Sequence, residues 1–203
     1  VKTTLYLIRH GEVEARHLFY GQLDVPLSDR GREQAARAAA ALAHLPVTAV
    51  HSSDLLRAEE GALLAALEHG LEHRADPAFR EMNLGLLEGV PHAEIQQRHP
   101  QLASKRYADM WSYRFPGGGE NMQDLAARCL PRLERILAGN AGGVVLLVAH
   151  NSINRIILGR ALGLPLPEIF GFAQDFGCIN RIDYGDRVRV RLVNWTPDAL
   201  DRR

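Results

Sequence analysis

Val144-Val145-Leu146-Leu147-Val148-Ala149 runs directly into His150-Asn151-Ser152. Six apolar residues without a polar break, three of them valines, are too few for an ordinary helix. They fit a strand buried on both faces, central in a parallel sheet. A second such run, Thr4-Leu5-Tyr6-Leu7-Ile8-Arg9, ends on His10-Gly11. Between and after these runs the pattern alternates. Ser28 or Asp29 caps an Ala-rich helix that ends near Leu45-Pro46. Val47 to His51 reads as a strand, and Ser52-Ser53-Asp54 caps a helix reaching about Glu68. Arg74 to Phe79 is a third extended piece. Residues from about Val90 to Phe115 read as helical with weaker periodicity, stopped by Pro116-Gly117-Gly118-Gly119.

Asn121 and Asp124 have capping-box spacing. The helix they open carries a one-sided apolar stripe that includes Met122, Leu125, Cys129, Leu133 and Ile136. Pro131 inside it predicts a kink or a split. A further helix follows His150 to about Leu162, ended by Gly163 and Pro165. Cys178 to Tyr184 and Val188 to Val193 read as strands joined at Gly185-Asp186. Alternating strands and helices predict an α/β fold, a three-layer α/β/α sandwich on a mostly parallel central sheet.

Composition narrows the function. With 203 residues, 46% hydrophobic and 24% charged, the chain has the size and balance of one globular domain, 1–203. Lys plus Arg equals Asp plus Glu at 24 each, so no global basic field points to nucleic acid or an anionic membrane. Any anion site must be local. Cys129 and Cys178 lie in no metal-ligand spacing, and two isolated thiols fit a reducing compartment. No run is long enough for a membrane span, and Arg9 arrives too early for a signal-peptide core. The expectation is a cytoplasmic protein.

In open α/β sheets, sites form at the carboxyl ends of strands. Arg9-His10-Gly11 follows the first strand, Arg57 the second, Arg80-Glu81 the third and His150 the central one. The strand ends thus deliver three arginines, two histidines and a glutamate. There is no Gly-rich loop ending in Lys and no Asp-rich cluster for Mg²⁺. His69 and His73 are four apart, but Gly70 and the lack of a further ligand make them a solvated helix end rather than a metal pair.

Several blocks occur in a fixed order: Leu7-Ile-Arg-His-Gly-Glu12, Gly21-Gln-Leu-Asp-Val-Pro-Leu-Ser28 with Gly31, Ser53-Asp-Leu-Leu-Arg-Ala58, Glu81-Met-Asn-Leu-Gly-Leu-Leu-Glu-Gly89, Pro116-Gly-Gly-Gly-Glu-Asn121 and Val148-Ala-His150. Arg-His-Gly alone is a weak motif; the ordered set is specific. Together they resemble the histidine phosphatase superfamily, also called phosphoglycerate mutase-like, over nearly the whole chain. The resemblance implies a small helical lid insertion at about 90–116. It also implies a metal-independent phosphomonoesterase without a cofactor, acting on a small-molecule phosphomonoester, with no nucleic-acid or membrane partner. A homodimer stays open.

The same resemblance assigns roles. His10 would attack phosphorus as a neutral ring, with neighbouring arginines opposing its protonation. Arg9 and Arg57 would present planar forks to phosphate oxygens, and His150 a further hydrogen bond. Gly11 would clear space for the substrate. Glu81 would protonate the leaving oxygen and then activate water against the phosphohistidine. Glu12 and Glu88 are rival acids. Gln22, Arg16 and Asn151 complete the set expected near phosphate. The family often has Asn at the position of Arg16, Gly at Asn151 and Thr or Ser at Val13.

For the substrate, lid residues Tyr107, Trp111, Tyr113 and Arg114 could stack on an aromatic or ribosyl leaving group, or simply pack a cap helix. Gln174-Asp-Phe-Gly-Cys-Ile-Asn-Arg-Ile-Asp183 resembles the same region of α-ribazole phosphatases, which act on a nucleotide-like intermediate of the lower ligand of cobalamin. The alternatives are a cofactor-dependent phosphoglycerate mutase, whose longer inserts and Trp-Arg-Arg-Ser-type lid run are absent here, and a non-catalytic phosphate-binding adaptor, which would be expected to lose His10 or Glu81.

Overall fold

The computed structural model describes residues 1–103 and 111–197. Six strands form one sheet: β1 (Thr3–Arg9), β2 (Ala49–Ser52), β3 (His73–Ala75), β4 (Val144–Ala149), β5 (Ile179–Tyr184) and β6 (Arg189–Trp195). Their order is β3-β2-β4-β1-β5-β6. The first four run parallel, and β5 and β6 continue antiparallel at one edge.

Successive β4 side chains serve opposite faces of the sheet, as a strand period of two requires. Val145, Leu147 and Ala149 join the core beneath α5 (Met122–Gly139) and α6 (Asn151–Leu162). Leu146 and Val148 join the core beneath α1 (Asp29–Leu42) and α2 (Leu56–His69). Those two cores make the three-layer sandwich. Leu146 and Leu147 are each at most 1% exposed, and each such burial contributes about 1.5–3 kcal/mol.

Local signals set several boundaries as the sequence predicts. Ser28 caps α1 by accepting from Gly31 N, and Asn121 and Asp124 form the reciprocal capping box of α5. Gly163 closes α6 in the left-handed conformation.

Three expectations are corrected. Ser52-Ser53-Asp54 does not cap α2. The helix starts at Leu56, whose N–H donates to Asp24 Oδ1 at 2.7 Å, while Asp54 instead pairs bidentately with Arg80. The described part of 90–115 is not one helix. It holds a single 3₁₀ turn (His92–Glu94), α3 (Ile95–Arg98) and α4 (Pro100–Ala103), because Pro100 pushes His99 out of the helical region, to φ −141°. Finally, Pro131 does not split α5, which runs unbroken over eighteen residues. Pro131 and Ala127 are both exposed, so the carbonyl that loses its partner faces water.

Among the described residues no helix is long and apolar enough to cross a membrane. Cys129 and Cys178 are both fully buried, and burial pushes their thiols up to about 12 and about 11. They are packing residues, as their positions suggest.

Candidate active site

Strand register builds the site. Arg9 pairs with Ala149 across the parallel β1/β4 ladder, and His10 N donates to Ala149 O at 3.0 Å. The two residues that follow, His10 and His150, therefore meet at the carboxyl ends of neighbouring strands. Their ring centroids lie 5.1 Å apart in an edge-on arrangement, and the rings are 3% and 0% exposed.

The Nδ1 of His10 lies 2.7 Å from Gly11 O. A carbonyl only accepts, so Nδ1 carries the hydrogen and Nε2 of the neutral ring keeps its lone pair. Burial first, then the charges of Arg57 and Arg9, hold the ring well below its ordinary 6.5, against the opposing pull of the Gly11 bond. The arginines oppose protonation as the sequence suggests, and desolvation, which it did not disclose, is the larger cause. His150 is lowered by the same burial, then by Arg57, His10 and Arg9.

Around this pair, four buried nitrogens lack a hydrogen-bond partner among the described residues: Arg9 Nε, Arg57 Nε and both ring nitrogens of His150. Leaving each such group unpaired costs about 1–3 kcal/mol, and an anion accepting from Arg9 Nε, Arg57 Nε and the one protonated nitrogen of the neutral His150 ring would recover it for those three. Arg9 keeps its guanidinium in place by donating to Gln174 O and stacking 3.9 Å from the centre of the Phe176 ring. Arg57 is 0% exposed, and each terminal nitrogen gives one N–H to a carbonyl, Leu23 O (2.8 Å) and Gly21 O (2.6 Å), which leaves Nε–H and one N–H on each terminal nitrogen for a ligand.

Glu81 lines the cleft beside Arg9. Its Oε1 accepts from Met82 N (2.7 Å) and its Oε2 from Ser152 N (3.2 Å). The carboxylate thus supplies the N-terminal cap that α6 lacks, since His150, Asn151 and Ser152 provide no side-chain cap. The rival acids are committed elsewhere. Glu88 accepts from Gln22 N and Leu84 N, and Glu12 pairs with Arg16 at 2.6 Å.

The remaining expected residues divide. Arg16 and Asn151 line the cleft, Arg16 as an exposed rim residue and Asn151 with its amide oxygen held by Arg155. Gln22 is absent from the lining, and its amide donates to Glu81 O at 3.0 Å. Gly11 is required by packing: a Cβ there would sit 2.1 Å from Gly31 O. This packing requires glycine at position 11 independently of any approach by the substrate.

The cleft has a volume of about 490 Å³ and an aromatic wall of Phe19, Tyr20, Phe115, Phe170 and Phe176. Of the two readings open for Trp111 and Tyr113, stacking on a leaving group or packing, the structure shows packing against the apolar core, and Arg114 pairs with Asp124. Tyr107 lies outside the described residues. The aromatic wall was missed in the sequence, although Phe176 stands inside the Gln174–Asp183 block. Also missed was Arg128, whose guanidinium reaches three carbonyls around Glu81. Among the described residues no group of three His, Cys, Asp or Glu is placed to hold a metal ion.

The model of the histidine phosphatase superfamily (branch 1) matches residues 5–196. A glucosyl-3-phosphoglycerate phosphatase of Mycolicibacterium vanbaalenii is 37% identical over 173 residues, covering 80% of this chain and 75% of that protein. Phosphoglycerate mutase-like protein 4 of Arabidopsis thaliana is 35% identical, covering 77% and 70%. Among solved structures, a mycobacterial glucosyl-3-phosphoglycerate phosphatase in complex with VO3 superposes with a TM-score of 0.85 at 30% identity, covering 95% of this chain and 99% of that one. A putative α-ribazole-5′-P phosphatase from Escherichia coli also gives 0.85, at 28% identity, with 95% and 96% covered.

Proposed function

Because the chain belongs to the histidine phosphatase superfamily, we propose that it hydrolyses a small-molecule phosphomonoester through a phosphohistidine at His10. The observation that carries this reading is the bond from His10 Nδ1 to Gly11 O, which leaves Nε2 as an unprotonated nucleophile in a ring that burial keeps neutral.

In the first step Nε2 forms a bond to phosphorus and the P–O bond to the leaving group breaks. Glu81 gives its proton to the departing oxygen. In the second, Glu81 takes a proton from water as the water oxygen attacks phosphorus, the N–P bond breaks, and inorganic phosphate leaves. Arg9, Arg57 and His150 offset the charge on the equatorial oxygens in both steps. No step draws on a metal or cofactor.

The aromatic wall supports an aromatic or ribosyl leaving group over a compact polar one. Within that class we favour α-ribazole 5′-phosphate, whose aromatic base would meet Phe19 and Phe176. The test is phosphate release with EDTA present, for wild type and His10→Ala. The esters would be α-ribazole 5′-phosphate, glucosyl-3-phosphoglycerate, 3-phosphoglycerate, phosphoserine, sugar phosphates and an aryl phosphate. The expected result is release that survives EDTA, vanishes in His10→Ala and is fastest for α-ribazole 5′-phosphate. Preference for a phosphoglycerate ester would overturn the substrate, and no release from any ester would overturn the phosphatase.

A further inference from the structure

Glu81 stands on backbone with no regular structure. Residues 80–84 belong to no strand or helix, so no ladder fixes where its carboxyl points. Backbone groups in such a segment need partners from elsewhere, and here side chains provide several: Glu88 for Leu84 N, Gln22 for Glu81 O, and Arg128 for two carbonyls. Arg128, on the long rigid α5, donates through NH1 to Ala78 O (2.8 Å) and through NH2 to Arg80 O (2.7 Å) and Glu81 O (2.9 Å). Its own fork is oriented by Glu120, with Nε on Oε1 at 2.7 Å and NH2 on Oε2 at 3.0 Å. Glu120 also grips the far side of the same segment, accepting from Asn83 N at 2.9 Å while its N–H donates to Asn83 O at 2.8 Å. Carbonyls 78, 80 and 81 and the N–H of residue 83 are thus held by one ion pair, and the carbonyl of residue 83 by the Glu120 backbone. At 22% and 18% side-chain exposure it is shielded enough to be rigid.

We propose that Arg128, oriented by Glu120, is the positioning residue of the proton donor: it fixes the Glu81 backbone so that the carboxyl reaches the leaving oxygen. The inference rests on the acid role given to Glu81 above. It needs a planar fork and not merely a positive charge, because three carbonyls and a bidentate carboxylate are met from one guanidinium. Lysine keeps the charge and loses that geometry.

Proton donation matters in proportion to how poor the leaving group is, whereas binding and phosphoryl charge neutralisation do not. The experiment is therefore kcat/KM, which reports the first chemical step, for a series running from 4-nitrophenyl phosphate through phenyl phosphate to an alkyl phosphate. Wild type, Arg128→Lys and Glu81→Gln are compared, with competitive inhibition by inorganic phosphate as a measure of the anion site. Arg128→Lys should lose about threefold or less on 4-nitrophenyl phosphate and about 10²-fold on the alkyl ester, with phosphate inhibition unchanged. Glu81→Gln should show the same selectivity, more steeply. Equal loss on every ester, or no loss on any, would overturn the positioning role. A Glu81→Gln profile indifferent to the leaving group would instead overturn the acid assignment on which the proposal rests. Should Arg128→Lys not fold, Glu120→Gln, which keeps the volume and one acceptor oxygen, is held to the same two outcomes.

Discussion

Replacing Arg57 by methionine removes a guanidinium and keeps a stem of similar length and apolar volume. The buried Gly21 O loses its donor at about 1–3 kcal/mol, and the Leu23 O, on an exposed residue, loses its donor at a smaller cost because water can replace it. Against this, the folded state no longer carries the desolvation of a fully buried cation, a penalty of several kcal/mol. The two nearly cancel, so stability should change by about 2 kcal/mol or less. For a chain of this size that is a melting shift of under roughly 8 °C. Catalysis has no such offset. Losing one preorganised donor and its charge beside a transferring group costs about 2.7–4 kcal/mol, or about 10²–10³ in kcat/KM. A second readout has a definite sign. Arg57 is the leading charge that lowers both His10 and His150, so its removal raises both rings, and neutral His10 persists only to a higher pH. The acid limb of kcat/KM should move up in pH. The assay is kcat/KM against pH beside a thermal melt. A folded variant that loses less than about tenfold, or whose acid limb stays put, would refute the placement of Arg57 against the reacting group.

Four further outcomes test the rest of the structure. His10 and His150, and to a smaller extent His51 and His73, are depressed below 6.5 in the fold. The unfolded chain therefore binds more protons below that pH, and stability should be complete above it and fall as pH drops through the depressed values; urea midpoints across this range check it. His10→Asn should flatten that fall, and an unchanged slope would refute the buried-neutral reading of the ring. Gly11→Ala drives a Cβ into Gly31 O and should cost about 1–3 kcal/mol or more in a thermal melt; full stability with lost activity would favour the substrate-clearance role. Pro131→Ala on the exposed face of α5 should raise stability by up to about 3 kcal/mol, and a lower melting temperature would show that the proline fits a local bend.

What the sequence disclosed depended on how far each cause lies along the chain. β4 and β1 follow from uninterrupted apolar runs, and the cap of α5 follows from Asn121 and Asp124 three residues apart; both are local. The start of α2 is set by Asp24, thirty-two residues upstream, where no local pattern points. The same holds for Gly11, whose constraint is the backbone at Gly31, and for the N-terminus of α6, which is capped by a glutamate on another loop. His10 and His150 were readable because each follows an apolar strand directly. The state of Arg57 was not, because an arginine in Ser53-Asp-Leu-Leu-Arg-Ala58 looks the same whether its terminal nitrogens are free or share N–H groups with carbonyls of a distant loop.

One construction principle links the reactive groups. His10 is oriented by Gly11 O, Arg57 by Gly21 O and Leu23 O, Arg9 by Gln174 O, and Glu81 by Met82 N and Ser152 N. Each is tied to backbone, which no substitution at the partner position removes, except one to proline where the partner is an N–H. The walls that would meet the leaving group are built differently, from side chains such as Phe19 and Phe115, whose ring partners are His92 and Tyr113. The identity of the ester can therefore change by substitution at the rim while the geometry at phosphorus stays fixed. Phe176 and Tyr20 are exceptions, since both line the cleft while the Phe176 ring stacks on Arg9 at 3.9 Å and the Arg57 guanidinium lies 5.0 Å from the centre of the Tyr20 ring. Through these two wall residues a change of leaving group would also disturb the phosphate site.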